Sequence, residues 1–164
     1  MSAHNFSEAA KKIIRDYKSR PALYAQDIDI EYADFRFLSA LREIALHSED
    51  GDLKIFAIYA IRYIGFQKYA IKESKGILDF LIKLKEKTST KDVRLRVLWA
   101  ILDLFRYAIA NSCIDEIRSY NPAKFYKEAL ELGMPDYDKK VVTGIFGEYF
   151  EKFSKEFLEN EVKK

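Results

Sequence analysis

Two stretches decide how this chain folds: DLKIFAIYAIRYIG at residues 52–65 and DVRLRVLWAILDLF at residues 92–105. Their opening residues, Asp52 and Asp92, stand 40 positions apart. At that offset Leu53 falls on Val93, Lys54 on Arg94, Ala57 on Val97 and Ala60 on Ala100. Ile61 then falls on Ile101, and Ile64 on Leu104. Wound into helices, both stretches are apolar on most faces, so each must be covered by several neighbours. Each follows a more polar amphipathic segment and a short polar turn, Ser48 to Asp52 in one case and Thr88 to Lys91 in the other. A period near 40 with two helices per period is the mark of an α-solenoid, whose helical pairs bury their apolar faces only by stacking.

The flanking sequence also reads as helices joined by short breaks. A first helix spans roughly Ser7 to Lys18, with Ser7 as N-cap and Phe6, Ala10, Ile13, Ile14 and Tyr17 on one stripe. Pro21 stops it, and residues 20–29 read as a connector. A second helix runs from about Ile30 to His47, with Phe35, Leu38, Leu41, Ile44 and Ala45 on one side. Asp52 is expected to cap the third, Leu53 to Gly65, and Gly65 sits where a helix-ending glycine belongs. A fourth covers about Lys68 to Lys87, with an interruption expected near Gly76 and its best stripe at Ile77, Leu78, Leu81, Ile82 and Leu84. Thr90 or Asp92 caps the fifth, Val93 to Ala110. After a break at Asn111-Ser112 and a short piece at Cys113 to Tyr120, Pro122 opens a helix that ends at Gly133. Pro135-Asp136 opens a last helix to about Asn160, which carries Gly144 and Gly147 and the aromatics Phe146, Tyr149, Phe150, Phe153 and Phe157.

On Leu53-Lys54, Ala57, Ala60-Ile61 and Ile64-Gly65, the chain resembles the HEAT/armadillo-like helical repeats. Val93-Arg94, Ala100-Ile101 and Leu104 match more loosely, and the resemblance covers about residues 38–105. Val97 replaces a small residue and Phe105 a glycine, while Ser48 and Thr88 stand where the family carries a turn aspartate. The resemblance implies an all-α fold, a compact right-handed α–α superhelix of about seven helices. It implies a single helical domain over 1–164, with a first unit at about 30–65 and a second at 68–110. Residues 112–160 would be a degenerate third unit or a C-terminal cap. The alternative fold is an unrelated helical bundle.

In such a stack the second helices line the side where partners dock. That implies a non-catalytic module binding another macromolecule, a protein first of all, through Tyr59, Arg62, Tyr63, Trp99, Asp103 and Arg106. Tyr, Trp and Arg concentrate binding energy at interfaces. The competing assignment for the Tyr59/Trp99 stripe is core beneath the C-terminal helix.

Composition bounds the chemistry. Hydrophobic residues make up 49% and charged residues 33% of 164 residues, which suits a globular domain. Six glycines and three prolines are too few for an all-β chain, and no two glycines form a phosphate loop. One cysteine excludes a disulfide framework and a cysteine-based zinc site, and two histidines argue against a multi-histidine centre. The first residues lack the apolar core of a signal peptide. The longest uncharged apolar run, Ile55 to Ile61, falls far short of the roughly 20 residues that span a bilayer. A cytoplasmic protein with no cofactor and no membrane contact is expected, and a homodimer is compatible with the sequence. Abundant Lys, Glu, Ile and Tyr with only Gln26 and Gln67 lean toward a thermophilic source.

Net charge is +2, but it is uneven. Residues 27–52 carry eight acids against Arg36 and Arg42, whereas residues 83–96 carry six bases against Glu86 and Asp92. Those bases, Lys83, Lys85, Lys87, Lys91, Arg94 and Arg96, straddle a turn. They give an alternative function, binding of a nucleic-acid backbone, to set beside the plainer assignment of a solvated face.

Catalytic patterns are thin. Asp27, Asp29 and Glu31 have the spacing that opens a calcium loop, but Tyr32 replaces its glycine and Leu38 its final acid. They read as a polar connector. Nothing around Cys113 makes it a nucleophile with His47 or His4, and His47 suits a helix C-terminus as a partial cation. Glu148 with Glu151 and Asp115 with Glu116 read as solvated helix faces. No enzyme is expected.

Overall fold

The computed structural model describes residues 4–20, 25–65, 71–110 and 117–134. Among them are seven α-helices: α1 (Glu8–Ser19), α2 (Ala25–Glu31), α3 (Leu38–His47), α4 (Gly51–Gly65), α5 (Ile71–Lys87), α6 (Lys91–Ala110) and α7 (Pro122–Glu131). Short 3-10 turns occupy Phe35–Phe37 and Arg118–Tyr120. No strand occurs among the described residues, as the all-α expectation requires. Backbone packing divides the chain into two compact units, Met1–Val97 and Leu98–Lys164, with the boundary inside α6.

In the first unit α4 is the central helix. Leu53, Phe56, Ala57, Ile58, Ala60, Ile61 and Ile64 are all buried, so its apolar surface needs more than one partner. It packs against α2, α3 and α5. Each fully buried isoleucine contributes roughly 1.5–3 kcal/mol of transfer free energy. Amphipathic α1 lays its stripe, with Ala10 and Ile13 buried, over α3. Ser7 caps it as expected, its hydroxyl accepting from the Ala10 amide at 3.2 Å.

Two boundaries differ from the sequence expectation. The connector at 20–29 contains a helix, α2, and the helix expected from Ile30 does not run through to His47. The cause is Asp34. Its carboxylate accepts from the Arg36 amide at 2.9 Å, and its own amide turns back to the Tyr32 carbonyl. That local bonding competes with helix continuation, as short acidic side chains do. The second difference is a cap. Asp50, not Asp52, takes the Asp52 and Leu53 amides, at 3.0 and 3.3 Å, and Asp52 lies inside the first turn of α4. Gly76 does not interrupt α5; a Cβ there would meet only the tip of Arg42, at 3.9 Å.

The 40-residue offset recurs in burial. Ala57 and Val97, Ala60 and Ala100, Ile61 and Ile101, and Ile64 and Leu104 are all buried. So are Leu41 and Leu81, Ile44 and Leu84, and the turn residues Ser48 and Thr88. The carbonyls of Asp50 and Thr90 accept the first helical bonds of α4 and α6, from Lys54 and Arg94.

In the second unit the latter half of α6 buries Ile101, Leu102, Leu104 and Phe105. The Phe105 ring meets Tyr120 and Phe125 at centroid distances of 6.1 and 5.7 Å. Helix α7 is bracketed by left-handed residues. Asn121 enters at φ 55 before Pro122, and Gly133 leaves at φ 82. The Met134 amide reaches back to the Ala129 carbonyl and the Gly133 amide to that of Leu130, a Schellman closure. The piece expected from Cys113 is described only from Ile117 onward. The last expected helix, with Gly144, Gly147 and its aromatics, lies outside the described residues, as do Glu148, Glu151, Asp115 and Glu116.

Candidate functional site

The sequence-derived stripe divides between the two units. In the first, Tyr59, Arg62 and Tyr63 lie one helical turn apart on α4 and all are half-buried. The Arg62 guanidinium stands over both rings, 4.7 Å from the centroid of Tyr59 and 4.8 Å from that of Tyr63. Arg96 of α6 donates to the Tyr59 hydroxyl at 2.9 Å and pairs with Asp92 at 3.8 Å. In the second unit Trp99, Asp103 and Arg106 are likewise half-buried, and Arg106 pairs with Asp103 at 3.2 Å. Neither set is fully enclosed.

Asp29 of α2, only 8% exposed, lies within the field of Arg62. Its burial pushes its carboxyl up to about 7, and the positive charge of Arg62 opposes that rise. The acids read as a broken calcium loop therefore sit on a helix, with Glu31 turned to Arg20 at 2.7 Å. Arg20 holds the Glu31 carboxyl below its usual range. Arg20 also grips Asp16 at 3.1 Å, and the Tyr32 hydroxyl donates to the same carboxylate. That hydroxyl bond is the main reason Asp16 ionises more readily than usual. These ties fasten the end of α1 to α2. Among the described residues no group of three or more His, Cys, Asp or Glu side chains is placed to hold a metal ion.

The basic run is scattered. Lys83, Lys87 and Lys91 are exposed, and Arg94 and Arg96 are half-buried. Lys85, at the end of α5, is only 6% exposed, at the position 40 residues beyond buried Ala45.

Sequence reasoning missed a second place. His4 and His47, 43 residues apart, stack with parallel rings at 3.8 Å. Glu43 organises them. One carboxylate oxygen takes His4 Nε2 at 3.0 Å and the Ser7 amide at 2.8 Å; the other takes the Ser7 hydroxyl at 2.7 Å. The Ser7 hydroxyl bond chiefly lowers the Glu43 pKa, with His4 adding to it. Beside this cluster a cleft of about 430 Å3 opens between α1 and the α3–α4 turn. No sequence periodicity links His4 to His47; only the packing of α1 on α3 brings them together.

The chain thus defines an all-α protein, and none of its described helices is long and apolar enough to cross a membrane. Compared with protein-family models, with curated proteins and with solved structures, it matches none.

Proposed function

We propose that this protein is a non-catalytic helical module that binds another protein. Its contact residues are Tyr59, Arg62 and Tyr63 in the first unit and Trp99, Asp103 and Arg106 in the second. The observation that carries this is the Arg62 guanidinium held over two half-exposed tyrosine rings. Such a set is pre-organised: rigid aromatic area and a directed cation lose little entropy on binding. The shared burial register at 40 residues supports the further proposal that α3–α4 and α5–α6 are two HEAT-like units. The test is capture of a partner from nuclease-treated lysate of the source cells. Tyr59→Ala, Arg62→Ala, Trp99→Ala and Arg106→Ala are expected to weaken capture while the helical circular dichroism stays unchanged. Retention of the partner by all four variants overturns the assignment.

A second function, nucleic-acid binding, draws on exposed Lys83, Lys87 and Lys91 flanking one turn. Burial of Lys85 and the engagement of Arg96 with Tyr59 reduce the cations on offer. The acid-rich segment 27–52 further opposes a polyanion. No tight binding to generic DNA or RNA is expected at physiological salt. A gel shift below about 1 μM there, lost on reversing the three lysines to glutamate, would reverse this ranking.

A further inference from the structure

We propose that the cleft between α1 and the α3–α4 turn binds a small aromatic anion, a single planar ring carrying a phosphate or carboxylate. This stands apart from the Arg62 patch and does not depend on it. One wall of the cleft is a rail of cations. Lys11, Arg15 and Lys18 recur at the spacing that puts them on one face of α1, and all three line the cleft. Lys11 is lightly held, by an exposed pair with Glu8 at 3.4 Å. The opposite wall contributes two carboxylates, Glu49 and Asp50. Asp50 is already committed to the first amides of α4, at 3.0 and 3.3 Å, where the helix dipole offsets its charge. The fixed charge left facing the cavity is therefore positive.

The rest of the lining selects for a ring. Half-buried Phe6 and Ile14 supply the apolar surface, with buried Leu53 beneath contributing little area. The parallel imidazoles of His4 and His47 add a flat aromatic edge, with Phe6 set edge-on to His4 at 4.8 Å. Glu43 fixes the orientation of that edge through His4. About 430 Å3 falls in the range of small-molecule sites, which combine apolar lining with a few placed polar groups.

The chain has only two histidines, and both line the cleft, so their ring-proton NMR signals are a direct readout. The full chain is titrated near neutral pH with phenyl phosphate and with benzoate. Inorganic phosphate and phenol serve as the anion without a ring and the ring without an anion. Saturable shifts of both histidine signals by phenyl phosphate and benzoate are expected, at concentrations at least about ten-fold below those needed with either fragment. Arg15→Gln with Lys18→Gln is expected to weaken phenyl phosphate at least about ten-fold with helicity intact, and Lys83→Gln to leave it unchanged. No saturable shift up to about 10 mM overturns the proposal. So does an equal response to inorganic phosphate, or an undiminished response in the double variant.

Discussion

The two inter-helix turns, α3–α4 and α5–α6, occupy the same register and are closed differently. Both place a buried hydroxyl residue at the turn, Ser48 in one and Thr88 in the other. Both start the next helix three residues later, at Gly51 and Lys91. Yet the Thr88 hydroxyl turns back to the Leu84 carbonyl at 2.7 Å, sealing the end of its own helix. Ser48 works forward instead, its oxygen accepting from the Asp50 amide at 3.1 Å and so setting up the cap of α4. The two turns share a burial pattern, not a bonding pattern. A site that must be small, buried and self-satisfied admits either residue, because either leaves no buried hydroxyl unpaired.

The largest test of the shared register lies in the core. Ile61→Ala and Ile101→Ala, at matching fully buried positions, are each expected to cost on the order of 2–5 kcal/mol by denaturant unfolding. A loss at one site far below that range would show that the two halves do not share equivalent packing.

Next comes the buried carboxyl beneath α4. Asp29 is pushed from 3.8 to about 7, so the folded state keeps a proton that the unfolded state releases. Stability is therefore expected to fall as pH rises from about 4 to about 7, then level off. Asp29→Asn should remove that slope and raise stability above pH 7 by roughly 1–2 kcal/mol, a figure set below the full shift because the site relaxes. A slope unchanged in the variant would place the titration on another group.

The turns themselves carry smaller effects. Asp50→Ala should cost about 1 kcal/mol and Asp50→Asn much less, since either oxygen caps the amides of α4. Thermal unfolding of Asp52→Ala provides the comparison: a loss as large as that of Asp50→Ala would return the cap to Asp52. Thr88→Val should cost about 1 kcal/mol by removing the donor to Leu84, and Ser48→Ala somewhat less. Equal costs would mean the forward and backward closures are energetically the same.

The regularities of helix period and burial were legible in the residues. Apolar stripes located α1, α3 (the latter part of the helix expected from Ile30), α4, α5 and α6, and Pro122 with Gly133 framed α7. Such features are local: a period of 3.6, a fixed φ, a residue without a Cβ. What failed depended on choice between near-equal local options. Asp50 and Asp52 are both good caps, and only the backbone path selects one. Asp34 and the acids before it favour helix starts as much as turns, which hid α2. The half-burial of Tyr59 and Trp99 lies between the two alternatives, core and open face, that periodicity can pose. The His4–His47 stack and its cleft were out of reach, because they arise from the packing of α1 on α3 rather than from any spacing along the chain.

Glu43 has a consequence for how the amino-terminal helix opens. An isolated helix of 12 residues is marginal in water, and its ends ordinarily fray in independent, fast excursions. Here the residue that caps α1, Ser7, is held by amide and hydroxyl to a side chain of α3. Releasing the first turn of α1 therefore means stripping Glu43 of both Ser7 donors at once, and that turn cannot loosen without unlatching from α3. Hydrogen exchange at the Ala10 and Lys11 amides should then follow the same opening event as the amides around Ile44, and Glu43→Gln should uncouple the two.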